Sequence, residues 1–358
     1  MALPEPVTVA LALGTVMSLF LAVLLAATLG YAGVRSRREE RADRRRPAVR
    51  ESLLATLADN DPDWTAWAEG LSPLERRIAE DLIQSYLRTL QGREHRVLRN
   101  AAETLGIPER ERRTVRSTDA SRYAKLRALS WLTLLDCPVP PETLQAACRG
   151  DRDLEAAGAR LLHVTGTSDA RSAGTELLLG RGERLTAFGL DTLYRLHRSD
   201  PTVLFEYAAA HSDTWESPLL VQVLRAVSHY NVLDESAPAG WLLGALDHPT
   251  PTVRAAAVAA LQQYGWRSDI RDAVDLDSLA GDPDPAVRRA LCRTLTVWGD
   301  PEAVATLQRV FESDPVPRVK LAALRGLART DGEPPPNVVA DDVWWWLTRK
   351  AEARGVSV

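Results

Sequence analysis

Nine-residue windows with a shared apolar face recur along most of this chain. They read AKLRALSWL from Ala124, LEAAGARLL from Leu154, LTAFGLDTL from Leu185, LLVQVLRAV from Leu219, VRAAAVAAL from Val253, VRRALCRTL from Val287 and VKLAALRGL from Val319. Their starts lie 30, 31, 34, 34, 34 and 32 residues apart. Positions 1, 6 and 9 are apolar and position 5 is small or aliphatic, which predicts a helix with a continuous stripe on one face. No alternating β pattern competes with it. Shorter apolar stretches, Ala239 to Leu246, Ile270 to Leu279 and Pro301 to Phe311, lie between windows and predict a second helix in each unit. The turns before the last three windows read His248-Pro249-Thr250-Pro251, Asp282-Pro283-Asp284-Pro285 and Asp314-Pro315-Val316-Pro317. A proline at the first helical position costs no hydrogen bond, and Thr250 or Asp284 just before it is placed to cap the helix. A single helix hairpin cannot bury its own apolar face, so such units must stack.

The segment 282–291 (DPDPAVRRAL) and the segment 251–261 (PTVRAAAVAAL) resemble HEAT repeats, including the variety also called phycobilisome-lyase-like. The resemblance is strong over 240–330, fair over 118–240 and weak at both ends. It implies an all-α chain whose main part is an α-solenoid of HEAT-type helix-turn-helix repeats. It also implies a ladder between units, formed by an acid in the turn and a base six positions later. Asp282 with Arg288 and Asp314 with Lys320 fit that pattern, whereas His248 replaces the acid before Arg254. Glu155, Thr186 and Leu220 stand at the basic position in earlier windows, so the implied ladder is incomplete. Val49 to Leu57 and Val97 to Leu105 echo the window as degenerate N-terminal repeats, with another amphipathic helix over 71–91 between them. After the Pro-rich break at Thr330 to Asn337, Leu347 onward keeps the polar positions of the window without its last leucine, as a capping repeat does.

The N-terminus departs from this pattern. Val7 to Val34 is a run of 28 residues without a charge, longer than the ~20 helical residues that span a bilayer core. Residues 1–6 hold no Lys or Arg, whereas residues 35–50 hold eight Arg and three acids. The positive-inside rule then predicts a single transmembrane helix with the N-terminus outside and everything after Arg35 in the cytoplasm of a cell. The run is too long, and lacks the basic leader, for a cleaved signal peptide. Within it Ala10, Gly14, Ser18, Ala22, Ala26 and Gly30 follow at four-residue steps, a small-residue row that lets helices approach closely in lipid. The row reads either as chance in an Ala-rich segment or as a packing face for a second copy or another membrane helix.

These features divide the chain into an outer tip and transmembrane helix (1–34), a basic juxtamembrane collar (35–50), a helical region (51–117), the repeats (118–330) and a C-terminal cap (331–358). The chain's net charge of -4 conceals a collar of +5 and a remainder, 51–358, of -8. A basic collar suits anionic lipid headgroups. An acidic remainder argues against general nucleic-acid binding of the kind seen in HEAT-like alkylpurine glycosylases, which rely on a basic groove.

Candidate chemistry is sparse. Cys137, Cys148 and Cys292 have no close pairing, and six His are scattered without an HExxH or a His-Glu dipeptide. Deoxyhypusine hydroxylases, which resemble this fold, hold iron through repeated His-Glu pairs, so a hydroxylase or lyase reading lacks its ligands here. No phosphate-binding loop and no nucleophile elbow occurs. No cofactor or metal is expected, and no catalytic residue. Trp344, Trp345 and Trp346 are consecutive, and neighbours on a helix differ by ~100°, so they either close the last repeat or offer a contact to a partner. Arg93 to Arg116, with seven Arg and four Glu, reads as a mixed-charge face. The expectation is a membrane-tethered scaffold or adaptor that binds a protein at the cytoplasmic face. Similarity to single-anchor HEAT proteins implies a membrane-bound partner such as a glycosyltransferase.

Overall fold

The computed structural model describes residues 17, 20, 21, 23–25, 28, 40–166, 169–230 and 237–330. Among them there are helices and turns but no strand. The chain divides into two compact units after Glu111.

The first unit holds α1 (residues 40–58), α2 (Trp64–Glu69), α3 (Pro73–Leu87), α4 (Arg93–Thr104) and the start of α5 (Ile107–Arg116). Ser72 and Glu75 form a reciprocal capping box at the start of α3, with Pro73 at the first helical position. Ile78, Leu82 and Ile83 of α3 are buried, as are Leu98, Ala101 and Ala102 of α4, which packs on α3. The window 49–57 lies in α1, where Val49 and Leu53 are buried but Leu54, at position 6, stands exposed. That leucine lines an open groove of about 920 Å³ beside Asp43, Arg46, Arg50 and Glu51, whose charges are of mixed sign. In the collar, Arg45 reaches Glu75 at 3.0 Å. Arg110 grips Glu80 through two bonds of 2.9 Å.

The second unit begins with the end of α5 and continues through α6 (Arg122–Leu134), α7 (Pro141–Cys148), α8 (Arg152–Thr165), α9 (Ala170–Leu179), α10 (Ala187–His197), α11 (Thr202–His211) and α12 (Ser217–Val227). It goes on through α13 (Gly240–Gly244), α14 (Pro251–Leu261), α15 (Ser268–Ala273), α16 (Leu276–Ala280), α17 (Pro285–Trp298), α18 (Pro301–Ser313) and α19 (Pro317–Leu327). The seven windows lie on α6, α8, α10, α12, α14, α17 and α19, except that Leu185 and the cap Thr186 precede α10, and each of these helices packs on the next. The intervening helices form a second layer in which α7 meets α9, α9 meets α11, α11 meets α13 and α16 meets α18. In the last four windows positions 1, 6 and 9 are buried throughout, from Leu219, Leu224 and Val227 to Val319, Leu324 and Leu327. Two-layer stacking is what an amphipathic hairpin without a core of its own requires.

Two local expectations are corrected. The stretch Ile270 to Leu279 is split, because Val274 is extended and Asp275 starts α16 by accepting a hydrogen bond from the Ser278 amide. Asp284 caps α17 by accepting from the Ala286 amide at 2.7 Å, but the Thr250 side chain makes no such bond to α14. Gly299, at φ 65°, ends α17 in the left-handed conformation that glycine adopts without strain.

No helix among the described residues is long and apolar enough to cross a membrane. The uncharged run 7–34 lies outside them except for Met17, Phe20, Leu21, Val23, Leu24, Leu25 and Thr28, which are helical and exposed. Ala10, Gly14, Ser18, Ala22, Ala26, Gly30 and the three tryptophans Trp344, Trp345 and Trp346 all lie outside the described residues.

Candidate protein-interaction surface

The turns that join successive units are tied by arginine forks. Arg254 donates from Nε and Nη2 to the two carboxylate oxygens of Asp282, at 2.7 and 2.9 Å, and from Nη1 to the carbonyl of His248 at 3.0 Å. One unit later Arg288 repeats this with Asp314, at 2.6 and 3.1 Å, and with the carbonyl of Asp282 at 2.7 Å. Each arginine thus holds the carboxylate of the following turn and only the main chain of its own turn, six residues back. Burial opposes ionisation of Asp282 and Asp314, yet the guanidinium and amide hydrogen bonds outweigh it and hold both carboxyls below the usual range. Lys320 ends the series by donating to the Glu312 carbonyl at 2.9 Å.

His248 shows why one acid is dispensable. Asp282 and Asp314 each accept a hydrogen bond from the amide two residues on, and His248 Nδ1 accepts the equivalent bond from Thr250 at 3.0 Å. The imidazole thus reproduces the turn. It has no arginine to bind, because the preceding window carries buried Leu220 at the basic position. In α8 the charges are inverted: Glu155 accepts from the Gly150 amide of its own turn and lies 3.9 Å from Arg181 of the next.

A second row went unseen in the sequence. Tyr230, Tyr264 and Trp298, spaced 34 residues apart, each donate to a carbonyl 37 residues earlier, those of Leu193, Val227 and Leu261, at 3.4, 3.4 and 3.3 Å. The signal was available, since each aromatic lies three positions beyond the end of its window.

Among the described residues no three His, Cys, Asp or Glu converge to hold a metal. Cys137, Cys148 and Cys292 are buried, and burial pushes the Cys148 and Cys292 thiols up to about 12. His197 is fully buried, and burial with the nearby Arg171 charge pushes its imidazole down to about 3. Thr175 donates its hydroxyl proton to the Arg171 carbonyl at 2.7 Å, so its oxygen accepts from His197 Nε2 at 2.9 Å. His197 Nδ1 has no partner among the described residues.

The surface of the second unit is different in kind at its C-terminal end. Between α17 and α19 lies a groove of about 590 Å³ lined by Arg289, Arg293, Arg318, Arg325 and Arg329 and by no acid. All five are exposed, and none meets a carboxylate among the described residues. Val297 and Leu321, 53% and 38% exposed, lie between the arginines. The helices approach closely because Gly326 of α19 faces Thr296 of α17 and Leu307 of α18 with no side chain to intervene. The sequence carries a trace of this: α12, α14, α17 and α19 contain no Asp or Glu, and their basic residues accumulate toward the last two.

A family model described as HEAT repeats matches residues 275–343, from the start of α16 through α19 and beyond. The chain therefore contains HEAT repeats in that part. Among curated proteins, none matches it.

Proposed function

We propose that this chain is a scaffold or adaptor that binds a partner protein through its helical repeats, held at the cytoplasmic face of a cell membrane by the uncharged segment 7–34. The observation that carries the reading is a stack of interlocked repeats with an exposed arginine groove on its surface that no acid lines among the described residues. Extended repeat surfaces are used to hold other proteins, and they do so without a catalytic constellation. HEAT repeats over 275–343 support this use. Membrane tethering rests on the charge-free run and the arginine collar that follows it. A membrane-bound assembly such as a glycosyltransferase suits a partner held at that surface, with lipid headgroups against the collar and the small-residue row open to helix packing in the bilayer. The chain then acts by binding, with no cofactor. In-membrane crosslinking of the full chain tests this reading: it expects the chain in the membrane fraction and a distinct protein among the captured species. Capture of lipid or of the chain itself alone would overturn it.

A further inference from the structure

We infer that the α17/α19 groove is a docking site for an acidic amphipathic helix of a partner protein. This rests on the scaffold reading above and names the surface and the chemistry of its partner.

Several arginines elsewhere in the second unit are matched to acids at about one repeat's distance. Arg122 meets Asp151 and Asp153, Arg152 meets Glu183, Arg160 meets Asp191, Arg171 meets Asp200 and Arg271 meets Asp300. The groove gathers five arginines in one place with no such match among the described residues. Arg289, Arg293 and Val297 follow at four-residue steps on one face of α17, while Arg318, Leu321, Arg325 and Arg329 form the facing stripe on α19 and just beyond it. Like charges gathered without a counterion repel one another, and a carboxylate ligand relieves that repulsion while matching the planar guanidinium fork.

The apolar residues between the arginines decide the class of ligand. Val297 and Leu321 offer nothing to a phosphate backbone, and no aromatic ring lines the groove on which a base could stack. A helix with acids along its edges and aliphatic side chains along its centre satisfies both features. The stripes run from Arg289 to Val297 and from Arg318 to Arg329, ~12 and ~16 Å at 1.5 Å per residue, so the occupant has two to three helical turns.

The experiment uses the full chain in lipid nanodiscs. The probe is a fluorescein-labelled helical peptide of about 14 residues, with Glu along both edges of a Leu face. The peptide is expected to bind in a salt-sensitive way. The triple reversal Arg289→Glu, Arg293→Glu and Arg325→Glu should weaken it by at least roughly tenfold, while the corresponding Arg→Lys triple retains most of the affinity. A photoreactive residue replacing Val297 should crosslink to the peptide. Melting curves of both triples check that the fold is kept, as exposed side chains allow. Unchanged affinity in the reversal variant overturns the proposal. So does an oligothymidylate that competes as well as the peptide, or crosslinking of position 297 to residues 331–358 in place of the peptide. If membranes yield the same protein partner with the wild-type chain and with the reversal variant, the groove proposal fails and the scaffold reading stands. If no protein is captured while the peptide binds as described, the scaffold reading fails and the groove's chemistry stands.

Discussion

Arg288 clasps both carboxylate oxygens of Asp314 while its remaining nitrogen holds the carbonyl of Asp282, so one side chain fastens two successive turns. Both partners are almost fully buried, at 9% and 3% side-chain exposure. Removing one of them leaves the other as an uncompensated buried charge, which costs ~3 kcal/mol or more. Arg288→Ala is therefore expected to destabilise the C-terminal repeats by about that amount, and Arg288→Lys to recover only part of it, because an ammonium cannot make the fork. Denaturant unfolding followed by hydrogen exchange in α19 reads both. The pH dependence has a definite sign. Asp314 is held below its ordinary range, so its contribution is fully present above the unfolded value of ~3.9 and is lost as pH falls through the folded one. Arg288→Ala should flatten that acid limb.

Gly326 sets how closely α19 approaches its neighbours. A methyl group there would lie 2.6 Å from Thr296 Oγ1 and 3.0 Å from a Leu307 methyl, both on packed helices. Gly326→Ala gains helix propensity but overpacks the contact, and the second effect is larger, at ~1–3 kcal/mol against ~1. A fall in melting temperature is the expected outcome. Thr296→Ala in the same chain should restore part of the loss, since it removes the nearest atom.

Much of the second unit was legible because one physical requirement, burial of a hairpin's apolar face, repeats every 30 to 34 residues and leaves Leu219, Val253, Val287 and Val319 in register. The ladder was half legible. The resemblance pointed to Arg254, Arg288, Asp282 and Asp314 as members of a ladder between units, but the spacing of six did not say which acid each arginine takes, and the structure gives it the carboxylate 28 and 26 residues on. The split at Val274 was hidden because its apolar side chain fits the stripe, and only the cap supplied by Asp275 ends the first helix. The groove was hidden for a different reason. Arg289 and Arg318 belong to separate windows, and the lack of an acid is visible only when the two helices are known to be neighbours.

The three cysteines report on opening of the repeats. Thiolate is the reactive form, and burial both shields Cys148 and Cys292 and pushes their thiols up to about 12, so little thiolate exists near neutrality. Cys148 Sγ also sits 3.2 Å from where a side chain on Gly158 would begin, on the adjoining helix α8. The native chain should therefore resist a disulfide reagent at pH 8 and react fully in denaturant. Gly158→Ala should accelerate labelling of Cys148 and leave Cys292 slow. Rapid labelling of all three in the untreated wild-type chain would contradict the buried placement.

His197 gives the array a second pH sensitivity, nearer neutrality. Its ring is fully buried and its imidazole is pushed down to about 3, first by burial and then by the Arg171 charge, whereas in an unfolded chain it titrates near ~6.5. Protonation is thus favoured in the unfolded state. The stabilising effect of keeping the ring neutral is complete above pH ~6.5 and declines as pH falls below it, by up to ~1.4 kcal/mol per unit, until the folded value near 3 is reached. The other charged groups around the ring act in a known sense: Asp200 favours the protonated form, while Arg171 and His163 oppose it. Replacing the ring by a neutral side chain of similar size that keeps the bond to Thr175, as in His197→Gln, should reduce stability at pH 7.5 through poorer packing. The same change should make the curve between pH 6.5 and pH 5 shallower than that of the wild-type chain. Equilibrium unfolding of both proteins across this range decides the matter, and parallel slopes would show that His197 is not the group responsible.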